Sequence, residues 1–258
     1  MNMSRIVFTR TMMCAIASVG LSAYGATKST KPEAGSTTET KKAKTGWAVM
    51  TPDPSLPNVL ILGDSISIGY TLEVRKLLAG KANVFRPMKK DSPENCSGTT
   101  AGVQNIDRWL EGQKWDVIHF NWGLHDMKHV SKDNPNTASS KAEDPTQATV
   151  EVYAKNMEAI VKKLQATGAK LIFATTTPVT PGTTNPLREP TSPGVYNAAA
   201  LKVMKDNNVS VNDLYAFCLP QLDKIQLPKN VHFKPEGSTA LAKEVAKKIT
   251  EALEKGKK

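Results

Sequence analysis

Asn58-Val-Leu-Ile-Leu-Gly-Asp-Ser-Ile-Ser67 joins a strand signal to a helix signal across one tight turn. Asn58 to Leu62 is a short apolar run, the pattern of a parallel strand covered on both faces. Residues 66–79 then read as a helix, with Leu72, Leu77 and Leu78 on one side and Gly80 as its stop. Between them stands Gly63-Asp64-Ser65. A serine at such a turn holds its hydroxyl at the top of a sheet, beside unpaired N–H groups and the positive end of the helix dipole. Those groups suit an anionic intermediate. Serine is also a preferred helix N-cap, so the fragment alone leaves a structural and a chemical reading of Ser65 open.

The same alternation continues along the chain. Asn83–Phe85, residues 116–120, Lys170–Ala174 and Val209–Val211 read as further strands. Residues 102–111, 149–167, 193–207 and 235–253 read as further helices. The helix over 149–167 is the most periodic, with Val150, Tyr153, Met157, Ile160, Val161 and Leu164 at helical spacing before Gly168. Strands alternating with helices predict an α/β fold: a three-layer α/β/α sandwich around a central parallel sheet of about five strands. Residues 86–101, 121–148 and 175–192 lack a regular pattern, and each follows an expected strand. Sites in such sheets gather beyond the carboxyl ends of the strands, where these loops would lie.

The chain has 258 residues, enough for one domain with appendages. Its 40% hydrophobic and 22% charged residues exclude disorder throughout. Residues 1–25 read as a secretory leader: Arg5 and Arg10, an apolar run from Met12 to Leu21, then small residues ending at Gly25. The run is shorter than the roughly 20 apolar residues a membrane span needs. Export to the periplasm or beyond is therefore expected, without stable membrane insertion. Residues 26–46, rich in Thr, Lys, Ser, Gly, Ala and Glu, read as a flexible linker, and the folded domain is expected over 47–258. The net charge of +10 reads first as a solvated surface and second as attraction to an acidic polymer. No nucleic-acid module is visible. Beyond the leader two cysteines remain, Cys96 and Cys218; spacing alone does not show whether they come within bridging distance.

The chain has four histidines. His232, in Val231-His232-Phe233 just before the last helix, is a candidate general base for Ser65. His119 sits within a strand and reads as core. His129 follows His125 by four residues with Asp126 between, a spacing that two metal ligands on a helix would show. No helical pattern supports it there, so no metal is expected.

Gly63-Asp64-Ser65 and His232, in that order, resemble the first and last blocks of the SGNH (GDSL-type) hydrolases. Asn95-Cys-Ser-Gly98-Thr-Thr-Ala-Gly102 is similar to the second block, and Asn121-Trp-Gly123-Leu-His125-Asp126 lies where the third is expected. The resemblance implies a flavodoxin-like fold and a serine esterase needing no cofactor. Ser65 would be the nucleophile and His232 the base. The backbone N–H groups of Ser65 and Gly98, with a side chain from the third block, would form the oxyanion hole.

This chain departs from the family pattern at three places. His125 stands where the third block usually has asparagine; a neutral imidazole also donates one hydrogen bond, and Asn121 is the other candidate donor. Lys229 occupies the position three before the histidine, where the family often has an acid, so either a backbone carbonyl orients His232, giving a Ser-His dyad, or an acid comes from elsewhere in the chain. Ser97 competes with Gly98 for the second-block position. The expected activity is hydrolysis of small-acyl esters, on carbohydrate by preference. A lipid ester, a thioester, acyl transfer, or a non-catalytic carbohydrate-binding protein are the alternatives.

Overall fold

The structure, a computed structural model, describes Trp47 and residues 51–255. The leader and the linker expected at the N-terminus, residues 1–46, lie outside the described residues. The elements run β1 (Asn58–Leu62), α1 (Ser65–Leu77), β2 (Asn83–Phe85), β3 (Met88–Lys89), β4 (Ser92–Pro93), α2 (Thr99–Leu110), β5 (Val117–Phe120) and β6 (Val130–Ser131). They continue with β7 (Asn134–Ala138), α3 (Val150–Gln165), β8 (Lys170–Ala174), α4 (Ser192–Asp206), β9 (Ser210–Asn212), α5 (Leu214–Cys218), α6 (Leu222–Ile225) and α7 (Pro235–Glu254).

Five strands form one parallel sheet in the order β2-β1-β5-β8-β9. α1 and α7 pack on each other on one face, while α2, α3 and α4 pack in series on the other. This is the three-layer α/β/α sandwich that the alternation implies. Residues Val59–Leu62 of β1 and Val117–Phe120 of β5 are buried throughout, as strands covered on both sides require. The order reverses direction between β1 and β5. At such a switch point the loops leaving the two strands diverge and open a crevice at the carboxyl edge. The turn carrying Ser65 leaves β1, and the loop carrying His125 leaves β5.

The differences from the sequence reading are local. Two of the stretches without regular pattern contain short antiparallel hairpins, β3–β4 and β6–β7. β7, Asn134–Ala138, is exposed along its whole length and so has no alternation to read. α2 begins at Thr99 rather than at residue 102, because Asp126, from the loop after β5, accepts the Thr99 N–H at 2.8 Å and caps the helix from a distance. Cys96 and Cys218 are both buried free thiols, so no disulfide joins them. Among the described residues no helix is long and apolar enough to cross a membrane.

Gly123 shows why the third block needs glycine. Its φ is +153°, and a Cβ there would collide with Thr176 Oγ1, which itself donates to the Trp122 carbonyl at 2.9 Å. The strand end of β5 is thereby pressed against the residues that follow β8.

Candidate active site

Asp64, not Ser65, caps α1: its Oδ1 accepts the Ile66 N–H at 2.9 Å. Ser65 is the first helical residue, so its hydroxyl is released from capping. That hydroxyl meets His232 Nε2 at 2.9 Å, across 167 residues of sequence. No carbonyl among the described residues accepts the Ser65 N–H, as expected for the first turn of a helix.

The orientation of His232 follows from one atom. Asn230 Oδ1 lies 3.0 Å from the His232 backbone N and 2.8 Å from His232 Nδ1. A backbone N–H can only donate, so the Asn230 atom facing it is the oxygen. The same oxygen accepts from Nδ1, which must carry the proton. Nε2 is left with its lone pair toward Ser65 Oγ, the tautomer of a general base. An acid three residues before the histidine is the pattern to expect from the family, and Asn230 falls outside it. The signal that points to Asn230 is an Asx turn, in which Asn bonds the backbone N–H two residues on. Thr180 Oγ1 donates to the Asn230 carbonyl and accepts its N–H, both at 3.0 Å, tying this loop to the one after β8.

Ser65 and His232 line a cavity of about 380 Å³, with Asn95, His125, Arg188 and Asn230 also on its walls. A cavity of about 510 Å³ elsewhere, between β9 and the end of α7, holds no histidine or cysteine. His125 makes no side-chain hydrogen bond among the described residues. Burial first, and then the cations Lys128 and Arg188 and the ring of His232, push its pKa down to about 3. At neutral pH it is therefore an uncharged imidazole with one N–H to donate.

Cys96 N–H donates to the Gly63 carbonyl at 3.2 Å, holding the second block against the Ser65 turn. The Ser97 N–H is taken by Asn95 Oδ1 at 2.9 Å, whereas the Gly98 N–H has no partner among the described residues. Of the two competing positions, Gly98 is the one with a free donor. Asn121 is a correction. It is buried away from this cavity, and its amide donates to the Ala174 carbonyl at 2.8 Å, stitching the ends of β5 and β8. Its second N–H points to Thr176 Oγ1 at 3.5 Å, so both amide donors are turned toward the residues at the end of β8 and not toward the cavity. His129 Nδ1 bonds the Asp144 carbonyl at 2.7 Å.

Asp126 and His119 are buried groups with opposite effects on stability. Burial raises the Asp126 carboxyl to about 6 and pushes His119 down to about 3. An unfolded histidine titrates near 6.5, so between about pH 6.5 and 3 the unfolded chain binds protons that folded His119 and His125 do not. Their contribution to stability is therefore lost as pH falls through that window. Asp126 acts the other way: its raised pKa contributes stability at low pH that is lost as pH rises through about 6. His119→Leu is expected to flatten the fall in unfolding free energy on acidification by one proton, about 1.4 kcal/mol per pH unit. Urea unfolding at a series of pH values measures this; an unchanged slope would contradict it.

A family model described as the GDSL-like Lipase/Acylhydrolase family matches residues 61–240. Several solved structures share the fold. A lipase/acylhydrolase from Enterococcus faecalis is 20% identical, with TM-score 0.60 over 75% of this chain and 95% of that one. A GDSL-like lipase from Bacteroides thetaiotaomicron is 15% identical, with TM-score 0.56 over 82% and 94%. Axe2, an acetylxylan esterase from Geobacillus stearothermophilus, is 16% identical, with TM-score 0.57 over 75% and 94%. Among curated proteins no sequence relative is found. With Ser65 set against His232 at the carboxyl edge of the sheet, and the matched residues spanning well over half of its length, this chain belongs to the GDSL-like lipase/acylhydrolase family of ester hydrolases.

Proposed function

We propose that this protein is an exported serine esterase that removes small acyl groups, acetyl above all, from carbohydrate. The observation that carries the chemistry is the 2.9 Å contact between Ser65 Oγ and His232 Nε2, with Asn230 holding the imidazole in the accepting tautomer. His232 takes the Ser65 proton as Oγ forms a bond to the ester carbonyl carbon. The N–H groups of Ser65 and Gly98, with the His125 imidazole, hold the resulting oxyanion. The imidazolium then protonates the departing alkoxide as the C–O bond breaks. Water, activated by the same imidazole, hydrolyses the acyl-enzyme.

Two features support a small acyl group. Leu124, Pro186 and Val231 are the apolar side chains among the cavity lining, too few to sheath a long lipid chain. A protein of the same fold, Axe2, is an acetylxylan esterase. Export rests on the sequence pattern of residues 1–25. The test is acetate release from acetylated oligosaccharides, together with mass-spectrometric mapping of a phosphonate ester inhibitor. Labelling anywhere but Ser65, or no acetate release, would overturn the proposal.

Asn230 acts in this scheme as a positioning residue. A hydrogen bond to a charged partner contributes about 1.5–3 kcal/mol, so Asn230→Ala is expected to lower kcat by roughly 10- to 100-fold with little change in KM. Asn230→Asp places a carboxylate beside the imidazolium and favours its charged form. The acid limb of the kcat/KM profile should then move to higher pH while activity on the plateau is retained. A pH profile identical to that of the unaltered protein would show that residue 230 does not touch the working imidazole.

A further inference from the structure

Arg188 is 7% exposed, yet no carboxylate among the described residues forms an ion pair with it. Its backbone N–H donates to the Thr183 carbonyl at 3.1 Å and its Nε–H to the Leu124 carbonyl at 2.6 Å. The first bond holds the backbone within the loop after β8, and the second ties the side chain to the loop after β5. The two terminal nitrogens, with four N–H groups, meet no acceptor among the described residues. They are also absent from the sealed, unpartnered polar atoms of the interior, so they retain contact with solvent. The residue lines the same cavity as Ser65 and His232.

An uncompensated buried cation is costly, and proteins normally pair it. The other buried arginine near this edge, Arg86, shows the usual solution: its terminal nitrogens donate to Ser67, Thr71 and the carbonyls of Gly63 and Glu94. Arg188 has no such ring of acceptors. Asp64, on the same cavity wall, is the acid whose charge it feels, but its Oδ1 caps α1 and neither of its oxygens comes within ion-pair distance of Arg188. Lys229 stands on the cavity wall and Lys128 lies near His125, so the surroundings add positive charge.

We propose that Arg188 is the receptor for a carboxylate on the substrate, so that the preferred substrates are O-acyl esters of acidic sugars. A planar guanidinium fork matches a carboxylate by two parallel N–H···O bonds, and a fork already held by its Nε–H loses little freedom on binding. This assignment rests on the hydrolase reading of Ser65 and His232 and deepens it by naming the substrate class. The net charge of +10 would likewise favour the approach of acidic polymers to the protein.

The test compares O-acetyl esters of methyl glucuronoside and methyl glucoside, alike except for the carboxylate. The unaltered protein is expected to favour the acidic ester in kcat/KM by at least about tenfold, the value of one charge-assisted pair. Arg188→Gln should cut that ratio about tenfold or more, Arg188→Lys should leave part of it, and added salt should reduce it. The ratio is internally controlled, so a general loss of activity through the Leu124 contact does not mimic the result. A ratio near one in the unaltered protein, or an unchanged ratio in Arg188→Gln, would overturn the proposal. If neither sugar ester nor p-nitrophenyl acetate is turned over, the hydrolase reading fails, and binding decides the role of Arg188. Calorimetry on Ser65→Ala should show binding of methyl glucuronoside and not of methyl glucoside; equal binding, or none, rejects the receptor.

Discussion

Ser65→Ala is expected to lower kcat for p-nitrophenyl acetate on the order of 10⁴–10⁶-fold, the range seen when a nucleophile that works with its base as a unit is removed. The loss should be chemical and not structural. The hydroxyl bonds His232 and nothing else among the described residues, while the cap of α1 is supplied by Asp64. Thermal stability should therefore stay within about 0.5 kcal/mol of the unaltered protein. Asp64→Ala provides the contrast. It removes the cap, at a cost of roughly 1 kcal/mol, and should show as a loss of stability. His232→Ala should fall nearly as far in kcat as Ser65→Ala, and the double variant little further, because the two residues serve one proton transfer. Substantial turnover in Ser65→Ala would place the nucleophile elsewhere.

The second large effect concerns His125. Removal of one oxyanion donor costs about 10²–10³ in turnover, so His125→Ala is expected to lower kcat by that factor with KM nearly unchanged, since the bond strengthens only as charge develops. An uncharged imidazole serves this role, because it keeps one N–H to donate. Burial and the neighbouring cations, with a pKa of about 3, keep it so across the working range. The same depressed pKa makes it a poor general base at neutral pH, a role left to His232. His125→Asn should recover much of the loss, because an amide also donates from a short side chain. A base would not be rescued in this way. Steady-state kinetics on the two variants separate these outcomes, and full activity in His125→Ala would leave the backbone donors of Ser65 and Gly98 to act alone.

The short-range features are legible in the amino-acid order. Continuous apolar runs at Asn58–Leu62 and Lys170–Ala174 mark buried strands, and the helical spacing of Tyr153, Met157, Ile160 and Leu164 marks α3. These patterns are strong because burial on both faces of a strand, or along one stripe of a helix, constrains the residues at regular positions. The hairpins β3–β4 and β6–β7 are not legible in this way: they are short, and β7 is wholly exposed, so burial imposes no period on it. Of the site, Ser65 and His232 stand out because each sits at an element boundary that turn chemistry marks.

By itself the amino-acid sequence determined the layered α/β architecture, the serine at the strand-to-helix turn and the histidine ahead of the last helix, since each depends on residues within a few positions. Tertiary structure alone decided which polar groups are free. Asn121 and His125 are four residues apart and both can donate, yet Ala174 takes the amide of one while the other faces the cavity. Asp126 caps α2, Asn230 holds the His232 ring, and the two terminal nitrogens of Arg188, on the wall of the cavity that Ser65 also lines, meet no acceptor among the described residues. The availability of a donor or a charge depends on partners brought from distant parts of the chain, and hydrogen bonding across such distances leaves no period in the sequence.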